Sequence, residues 1–271
     1  EMLISRIKIL ANLNIAEKRL PQDGRITVDV SGRSIDVRVS TIPTINGESV
    51  VLRFLDTEKG PNDLMALGLS DHTLSTLRRL LKAPHGMILT TGPTGSGKTT
   101  TLYAALQELN LIERKIITLE DPIEYRLENI NQIQINPKVG LNFATLLRSV
   151  LRQDPDIIMV GEIRDEETAR LATQSALTGH LVLSSLHTNN AFGAINRLLD
   201  MGLEPFLISA AVRAIISQRL IRRLCPKCKK CGSVTAREHK QFGLKIGTII
   251  NRPNGCMSCY HTGYTGRLVL T

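Results

Sequence analysis

The chain has 271 residues, 42% of them hydrophobic and 22% charged, an ordinary balance for a globular protein with material for one large domain or two smaller ones. No apolar run reaches the length of a membrane span and no signal-peptide pattern opens the sequence, so a cytoplasmic protein is expected. The 34 Lys and Arg against 25 Asp and Glu give a formal charge of +9, which suits anionic company, yet 3% aromatics and no Trp leave few platforms for stacking single-stranded bases. The five cysteines gather near the C-terminus, a distribution that favours a metal site over a disulfide framework. The sequence starts at Glu1 rather than Met and stops at Leu270-Thr271 inside what reads as a strand, so it is expected to be part of a longer protein.

Along the chain, Leu3, Ile7, Leu10 and Leu13 recur at helical spacing within residues 1–20, and Pro21-Gln22-Asp23-Gly24 reads as the turn that ends that helix. Three alternating strands follow: Ile26-Val28-Val30, Ile35-Val37-Val39 and Val50-Leu52-Phe54, with Ser31-Gly32-Arg33 as a hairpin signal. These make a small α+β domain over 1–57, and Thr57-Glu58-Lys59-Gly60-Pro61-Asn62 reads as a linker within a segment, 58–82, that also holds a leading helix. From about Ala83 strands alternate with helices. Strands are predicted at Met87–Thr91, Ile116–Leu119, Ile157–Val160 and Leu181–Ser185, and helices at Lys98–Leu109, Phe143–Arg152, Glu166–Thr178, Ala191–Leu199 and Phe206–Leu220. Continuous apolar strands with helical crossovers indicate a parallel sheet covered on both faces, an α/β core over 83–221.

The chemistry begins at Gly92-Pro93-Thr94-Gly95-Ser96-Gly97-Lys98-Thr99-Thr100, between a predicted strand and a predicted helix. Two glycines four residues apart, followed by Lys and Thr, fit a phosphate-binding loop. Backbone N–H groups there must turn inward around a phosphate, and glycine tolerates the dihedrals and the close approach. The helix that follows aims its positive end at the same phosphates. Lys98 can reach the β and γ oxygens and Thr99 can ligate Mg²⁺, so the chain is expected to bind a nucleoside triphosphate.

Two acidic clusters end two apolar strands: Glu120-Asp121-Pro122-Ile123-Glu124 and Gly161-Glu162-Ile163-Arg164-Asp165. At the C-terminal ends of parallel strands they would stand beside the nucleotide, with Glu124 and Glu162 available for water and metal. Asp121 before Pro is equally suited to shaping a turn, and Asp165 to capping a helix. His180 and His187 bracket the strand at 181–186, at loop positions from which a phosphate could be sensed. Arg38 and Arg53 lie in the N-terminal sheet, either as surface charges or as fingers reaching a transferred phosphoryl group.

Cys225-Pro226-Lys227-Cys228 and Cys256-Met257-Ser258-Cys259 are two C-x-x-C knuckles, the donor set of a closed tetrahedral zinc site within a subdomain over 222–265. With no open position and no catalytic His nearby, the metal is expected to be structural. A redox pair or an iron–sulfur cluster is the alternative, and Cys231 could compete with Cys228 in a shifted knuckle. Residues 266–271 read as the start of a return to the core.

Taken in order, the phosphate loop, the stretch from Ile117 to Tyr125, the stretch from Arg152 to Asp165 and the stretch from Thr178 to Asn189 resemble the Walker A, Asp box, Walker B and His box of the type II/type IV secretion ATPase superfamily. Ala16 to Ile26 and Met201 to Ile208 look like the type II secretion system ATPases, the GspE family. The four-cysteine insertion separates the chain from pilus retraction ATPases, but not from pilus assembly ATPases. The resemblance implies a RecA-like P-loop NTPase core and a homo-hexameric motor that uses ATP, Mg²⁺ and Zn²⁺. Such a motor is cytoplasmic and peripheral to the inner membrane. It acts on inner-membrane platform proteins to power pseudopilus assembly and protein export. By the same resemblance Lys98 and Thr99 bind phosphate and Mg²⁺, Glu124 activates water, Glu162 supports the metal, His187 senses the γ-phosphate, and Arg38 and Arg53 are the fingers. Gly161-Glu162 stands where many Walker B strands end in Asp. The family's membrane-docking N-terminal domain and the end of its motor domain fall outside this sequence. A type IV pilus assembly ATPase would share every one of these residues. A nucleic-acid translocating ATPase would fit the net charge and the knuckles, but only Tyr260 and Tyr264 lie near them, and no nucleic-acid partner is expected.

Overall fold

The computed structural model describes residues 2–30, 33–56 and 63–271; the expected linker at 57–62 and Ser31-Gly32 of the hairpin signal lie outside them. The first helix is shorter than its periodicity suggests. α1 (Met2–Leu10) ends where the chain turns through Asn12 at φ 54°, and the reversal is built over residues 11–21 instead of at 21–24. Gln22 anchors that reversal, accepting from the Asn14 N–H at 2.8 Å and donating to the Glu17 carbonyl at 2.8 Å, so that β1 (Gln22–Val30) already starts in the segment read as a turn. β1, β2 (Arg33–Thr44) and β3 (Gly47–Asp56) form an antiparallel sheet in that order. Lys8 ties α1 to it. The side chain is buried, so its ammonium needs partners, and it finds the Glu17 carbonyl at 2.8 Å and the Glu48 carboxylate.

α2 (Asp71–Leu81), capped by Ser70, leads into the α/β core. β4 (Gly86–Thr91) runs into the phosphate-loop segment and α3 (Lys98–Leu109). β5 (Ile116–Glu120), β6 (Asn131–Gln134), α4 (Phe143–Val150), β7 (Ile157–Val160), α5 (Glu166–Leu177), β8 (Leu181–Leu186), α6 (Ala191–Asp200), α7 (Pro205–Ala211) and β9 (Val212–Ser217) follow. The six strands pair in parallel in the order β6-β5-β7-β8-β4-β9. Side chains alternate across the pleat and both faces are covered. Met87 and Leu89 of β4 join Leu147, Ala172 and Leu198 on one face, while Ile88 joins Leu77, Leu102 and Leu106 on the other.

The predicted helix over Phe206–Leu220 is overturned in its second half. α7 stops at Ala211, and β9 adds to the sheet alongside β4. Val212, Ile215 and Ile216 are β-branched, and the open edge of β4 offers them a ladder that a helix would forgo. β6 was missed because its sequence, Asn131-Gln132-Ile133-Gln134, is a short polar edge with no apolar run. After β9 come β10 (Arg219–Leu224), β11 (Lys230–Ser233), α8 (Ala236–Phe242), β12 (Ile249–Arg252) and β13 (Tyr264–Leu270). β10 pairs antiparallel with β13, and β11 with β12.

Leu147, fully buried on α4, is the natural probe of the core. Leu147→Ala is expected to cost about 2–5 kcal/mol in denaturant unfolding, because the cavity adds to the lost transfer energy. Ile112→Ala, at a solvent-exposed site, should stay within about 0.5 kcal/mol of the parent.

Candidate active site

Three glycines of the loop after β4 take positive φ: Gly92 at 150°, Gly95 at 77° and Gly97 at 88°. Gly92 has no room for a side chain, since a Cβ would lie 2.5 Å from the Gln218 carbonyl oxygen and 2.5 Å from Ser96 Oγ. That close approach turns the loop back over the end of the sheet. Gly97 caps α3 with no side-chain acceptor, leaving the first-turn N–H groups to an anion. Lys98 is buried and folds back so that Nζ donates to the carbonyls of Gly92 at 2.8 Å and Pro93 at 3.1 Å. Burial holds its pKa below the ordinary lysine value, against the opposing pull of Glu162. Ser96 Oγ is buried with no hydrogen-bond partner among the described residues. A cradle closed to a Cβ, a buried lysine and an unpaired hydroxyl fit a phosphate group.

A cavity of about 340 Å³ opens beside this loop. Its walls bring together Thr94 to Thr100, Glu120 at the end of β5 with Asp121 and Glu124 after it, Gly161 and Glu162 from after β7, and Ser185 and His187 from the end of β8. The parallel sheet puts these strand ends side by side. Glu162 is mostly buried and is held by the Arg164 guanidinium and by His187 Nε2 at 3.1 Å. Arg164 also reaches Asp121 at 3.6 Å. His187 is half exposed at the cavity rim. His180 lies at the other end of β8 from His187, where its Nδ1 meets the Ser175 carbonyl at 3.0 Å. It is a satisfied hydrogen-bonder far from the phosphate loop.

Arg38 enters from the N-terminal sheet. Its Nη2 stands 3.6 Å from Glu124 Oε2 and is buried without a hydrogen bond among the described residues. Burial pulls its pKa below the ordinary arginine value, while Glu124 pulls the other way. Such a half-neutralised guanidinium has capacity left for an anion. Arg53 is in direct register with Arg38 across β2 and β3 and is exposed; Arg25 is in register with Arg38 on the other side. The three arginines share one face, and Asp36 holds Arg25.

Several contributors were not legible as such in the sequence. Gln218, buried at the end of β9, donates from Nε2 to the Ser96 carbonyl at 2.9 Å, while its N–H donates to the Thr91 carbonyl at 2.9 Å. Leu220 of β10 and Arg267 of β13 line the cavity from the ribbon side. The signal for Gln218 was the β-branched run before it, which was read as helix.

The four cysteines meet as expected. The Sγ atoms of Cys225, Cys228, Cys256 and Cys259 all lie within 4.8 Å of one another. Separations of 3.9 Å (Cys225 to Cys256), 3.8 Å (Cys228 to Cys259) and 3.7 Å (Cys256 to Cys259) match the edge of about 3.8 Å that a tetrahedron with ~2.3 Å zinc–sulfur bonds requires. Burial would raise the Cys259 thiol, but N–H groups of Cys256 and Gly263 at 3.2 and 3.3 Å outweigh it and bring it down to about 6. The donor set is therefore compatible with zinc. Cys231 is exposed and outside the cluster, its Sγ 3.6 Å from Asn251 Oδ1.

The sequence matches the model of the family described as "Type II/IV secretion system protein" over residues 1–271. The chain belongs to that family. Among type II/IV secretion system proteins it is 57% identical over 266 residues to type II secretion system protein E of Dickeya dadantii, covering 98% of this chain and 53% of that protein. It is 56% identical over 268 residues to type II secretion system ATPase E of Vibrio cholerae, again 98% and 53%. The chain thus spans about half the length of these relatives. Its fold superposes on the crystal structure of the pilus retraction motor PilT and bound ADP with a TM-score of 0.65 at 36% identity, over 77% of this chain and 61% of that one.

The cysteine cluster closes the base of the β10–β13 ribbon that carries Leu220 and Arg267 to the cavity. Stripping any zinc bound there with a chelator is therefore expected to weaken nucleotide binding several-fold while the parallel sheet stays folded. Titration with a fluorescent nucleotide, before and after chelation, checks this; an unchanged affinity would separate the ribbon from the site.

Proposed function

We propose that this chain is the nucleotide-hydrolysing part of a type II secretion motor, an ATPase that works as a homo-hexamer at the cytoplasmic side of the inner membrane. The observation that carries the reading is one cavity in which a phosphate-binding loop and the carboxylates Glu124 and Glu162 from neighbouring strand ends converge, with the partly buried Arg38 3.6 Å from Glu124. Relatives named type II secretion system protein E, at 54–57% identity, support the assignment to secretion. Among the described residues no helix is long and apolar enough to cross a membrane, which agrees with contact through inner-membrane partner proteins.

In this reading the loop N–H groups and Lys98 hold the β- and γ-phosphates, and Thr99 faces the Mg²⁺ that would accompany ATP and offset its charge. Glu124 accepts a proton from the attacking water and aligns it. Glu162, steadied by Arg164 and His187, stands where the metal's water shell would be held. Arg38, with Arg53 beside it, supplies positive charge to the transferred phosphoryl group as the N-terminal sheet closes. The cysteine cluster holds zinc as a structural clamp, with no open coordination position for chemistry. His187 reports the γ-phosphate through its contact with Glu162.

Mg²⁺-ATP hydrolysis per molecule, followed against protein concentration with Lys98→Ala as the blank, tests the proposal. The rate is expected to climb with concentration as rings assemble; absence of any rate above the blank would leave only nucleotide binding supported. Glu124→Gln is expected to keep nucleotide binding and lower kcat at least a hundredfold, in the range of lost general-base catalysis. Turnover by the Gln variant at the parent rate would remove Glu124 from its role.

A further inference from the structure

The functional reading leaves one buried titratable group unused. Glu120 ends β5 at 3% exposure, and no cation pairs with its carboxylate among the described residues. Three side chains donate to it instead: Thr118 Oγ1 at 2.5 Å, Gln132 Nε2 at 3.0 Å and the Tyr103 hydroxyl. A lone buried carboxylate is costly and persists where its hydrogen bonds organise something else.

What these bonds organise is the segment carrying Glu124. The Tyr103 oxygen accepts from the Glu124 N–H at 3.1 Å. Gln132 donates from Nε2 to the Tyr125 carbonyl at 2.9 Å and accepts on Oε1 from the Leu127 N–H at 2.7 Å. Three backbone groups of residues 124–127 are thus fastened to two side chains, and both side chains are fastened to Glu120. Tyr103 is fully buried on α3, five residues after Lys98, with its ring edge-on to Tyr125 at 5.6 Å. It has one proton to donate and lone pairs to accept, so it can face Glu120 and Glu124 at once.

We propose that Tyr103 and Glu120 are positioning residues for Glu124: the Tyr103 hydroxyl, oriented by the Glu120 carboxylate, fixes the backbone of Glu124 relative to the phosphate-binding helix. This rests on the reading of Glu124 as the water-activating group. The phenol neither touches the cavity's phosphate loop nor contributes charge, so its removal leaves nucleotide binding in place. Its effect falls on the geometry of the attacking water, where a small misplacement is expensive in rate.

The test is Tyr103→Phe, which keeps the ring packing and deletes only the bridging hydroxyl, with Gln132→Met as a second variant that frees the other fastening. Two readouts are taken on the whole chain: steady-state Mg²⁺-ATP hydrolysis, and amide deuterium exchange. For Tyr103→Phe, kcat is expected to fall tenfold or more with KM for ATP within twofold of the parent, and exchange to quicken at 124–127 with the rest of the sheet unchanged. Gln132→Met should quicken exchange over the same residues and lower kcat in the same direction. Parent-like kcat together with parent-like exchange at 124–127 would overturn the proposal. So would faster exchange throughout the core, with kcat and KM changing together, the mark of general destabilisation. If the parent itself shows no hydrolysis above Lys98→Ala, the ATPase reading fails, and the exchange result alone decides whether Tyr103 holds this segment.

Discussion

The glycine-rich loop end of this molecule depends on one backbone contact, the turn at Gly92 packed under the carbonyl of Gln218. With 2.5 Å to that oxygen from the position of a Cβ, only glycine can stand there, and the phosphate loop is thereby pressed against the chain that leaves β9. Gln218 then completes the contact from both sides, donating from its backbone to Thr91 and from its amide to Ser96. β9 lies in the sheet so that this residue arrives beside the loop. The next residues, beginning β10, carry Leu220 to within 3.1 Å of where a Cβ of Gly97 would be. One close approach therefore joins the edge of the parallel sheet, the loop and the antiparallel ribbon.

Around that contact the charges are arranged so that none is fully neutralised by a single partner. Lys98 rests on backbone carbonyls, Glu162 is shared by Arg164 and His187, and Glu124 meets Arg38 at 3.6 Å, beyond hydrogen-bonding distance. Tight one-to-one pairs would hold these groups to each other and would have to be broken by an incoming ligand. Loose sharing keeps the cationic groups available to phosphate and the carboxylates available to metal and water. Glu120 is the contrast. Three side-chain donors occupy most of its acceptor capacity, and burial raises its pKa above the ordinary carboxylate value, so it serves as a fixed post for the side chains that hold the neighbouring backbone.

Much of this was legible because both its signals are local. Strands covered on two faces must be apolar throughout, so Met87–Thr91, Ile157–Val160 and Leu181–Ser185 stand out from their surroundings, and the glycine spacing of the phosphate loop is dictated by backbone geometry. Glu124 and Glu162, picked out by their places after strands, line one cavity, and the four cysteines of the two knuckles meet in one cluster. What escaped depends on pairing between distant segments. Residues 212–220 carry apolar spacing that suits a helix, and only the open edge of β4 makes them strand. Arg164, Gln218 and Arg267 acquire meaning from which strand ends are neighbours, and Tyr103 reads as one more buried aromatic until the bonds to Glu120 and Glu124 are seen. The meeting of Arg38 with Glu124 likewise turns on the seating of one sheet beside another, which no spacing within β2 and β3 encodes.

The cysteine cluster stands where an apolar core is missing. Between 225 and 263 the buried apolar side chains, the cysteines aside, reduce to Val234 among the described residues. That is far too little apolar burial to hold such a segment against its conformational entropy. The four cysteines gather at the base of the ribbon, a donor set compatible with a zinc ion that would take the place of the missing core, and there the Cys225 N–H donates to the Gly263 carbonyl at 2.9 Å. From that fixed end β10 and β13 pair antiparallel, with one register shift between Arg222 and Leu224, back to the sheet, where Val269 is buried in the same cluster as Leu102 and Ile88 and Leu220 packs against it. A ribbon tied at one end by the cysteine cluster and at the other by the core has little freedom to splay, which suits it to form one wall of the cavity.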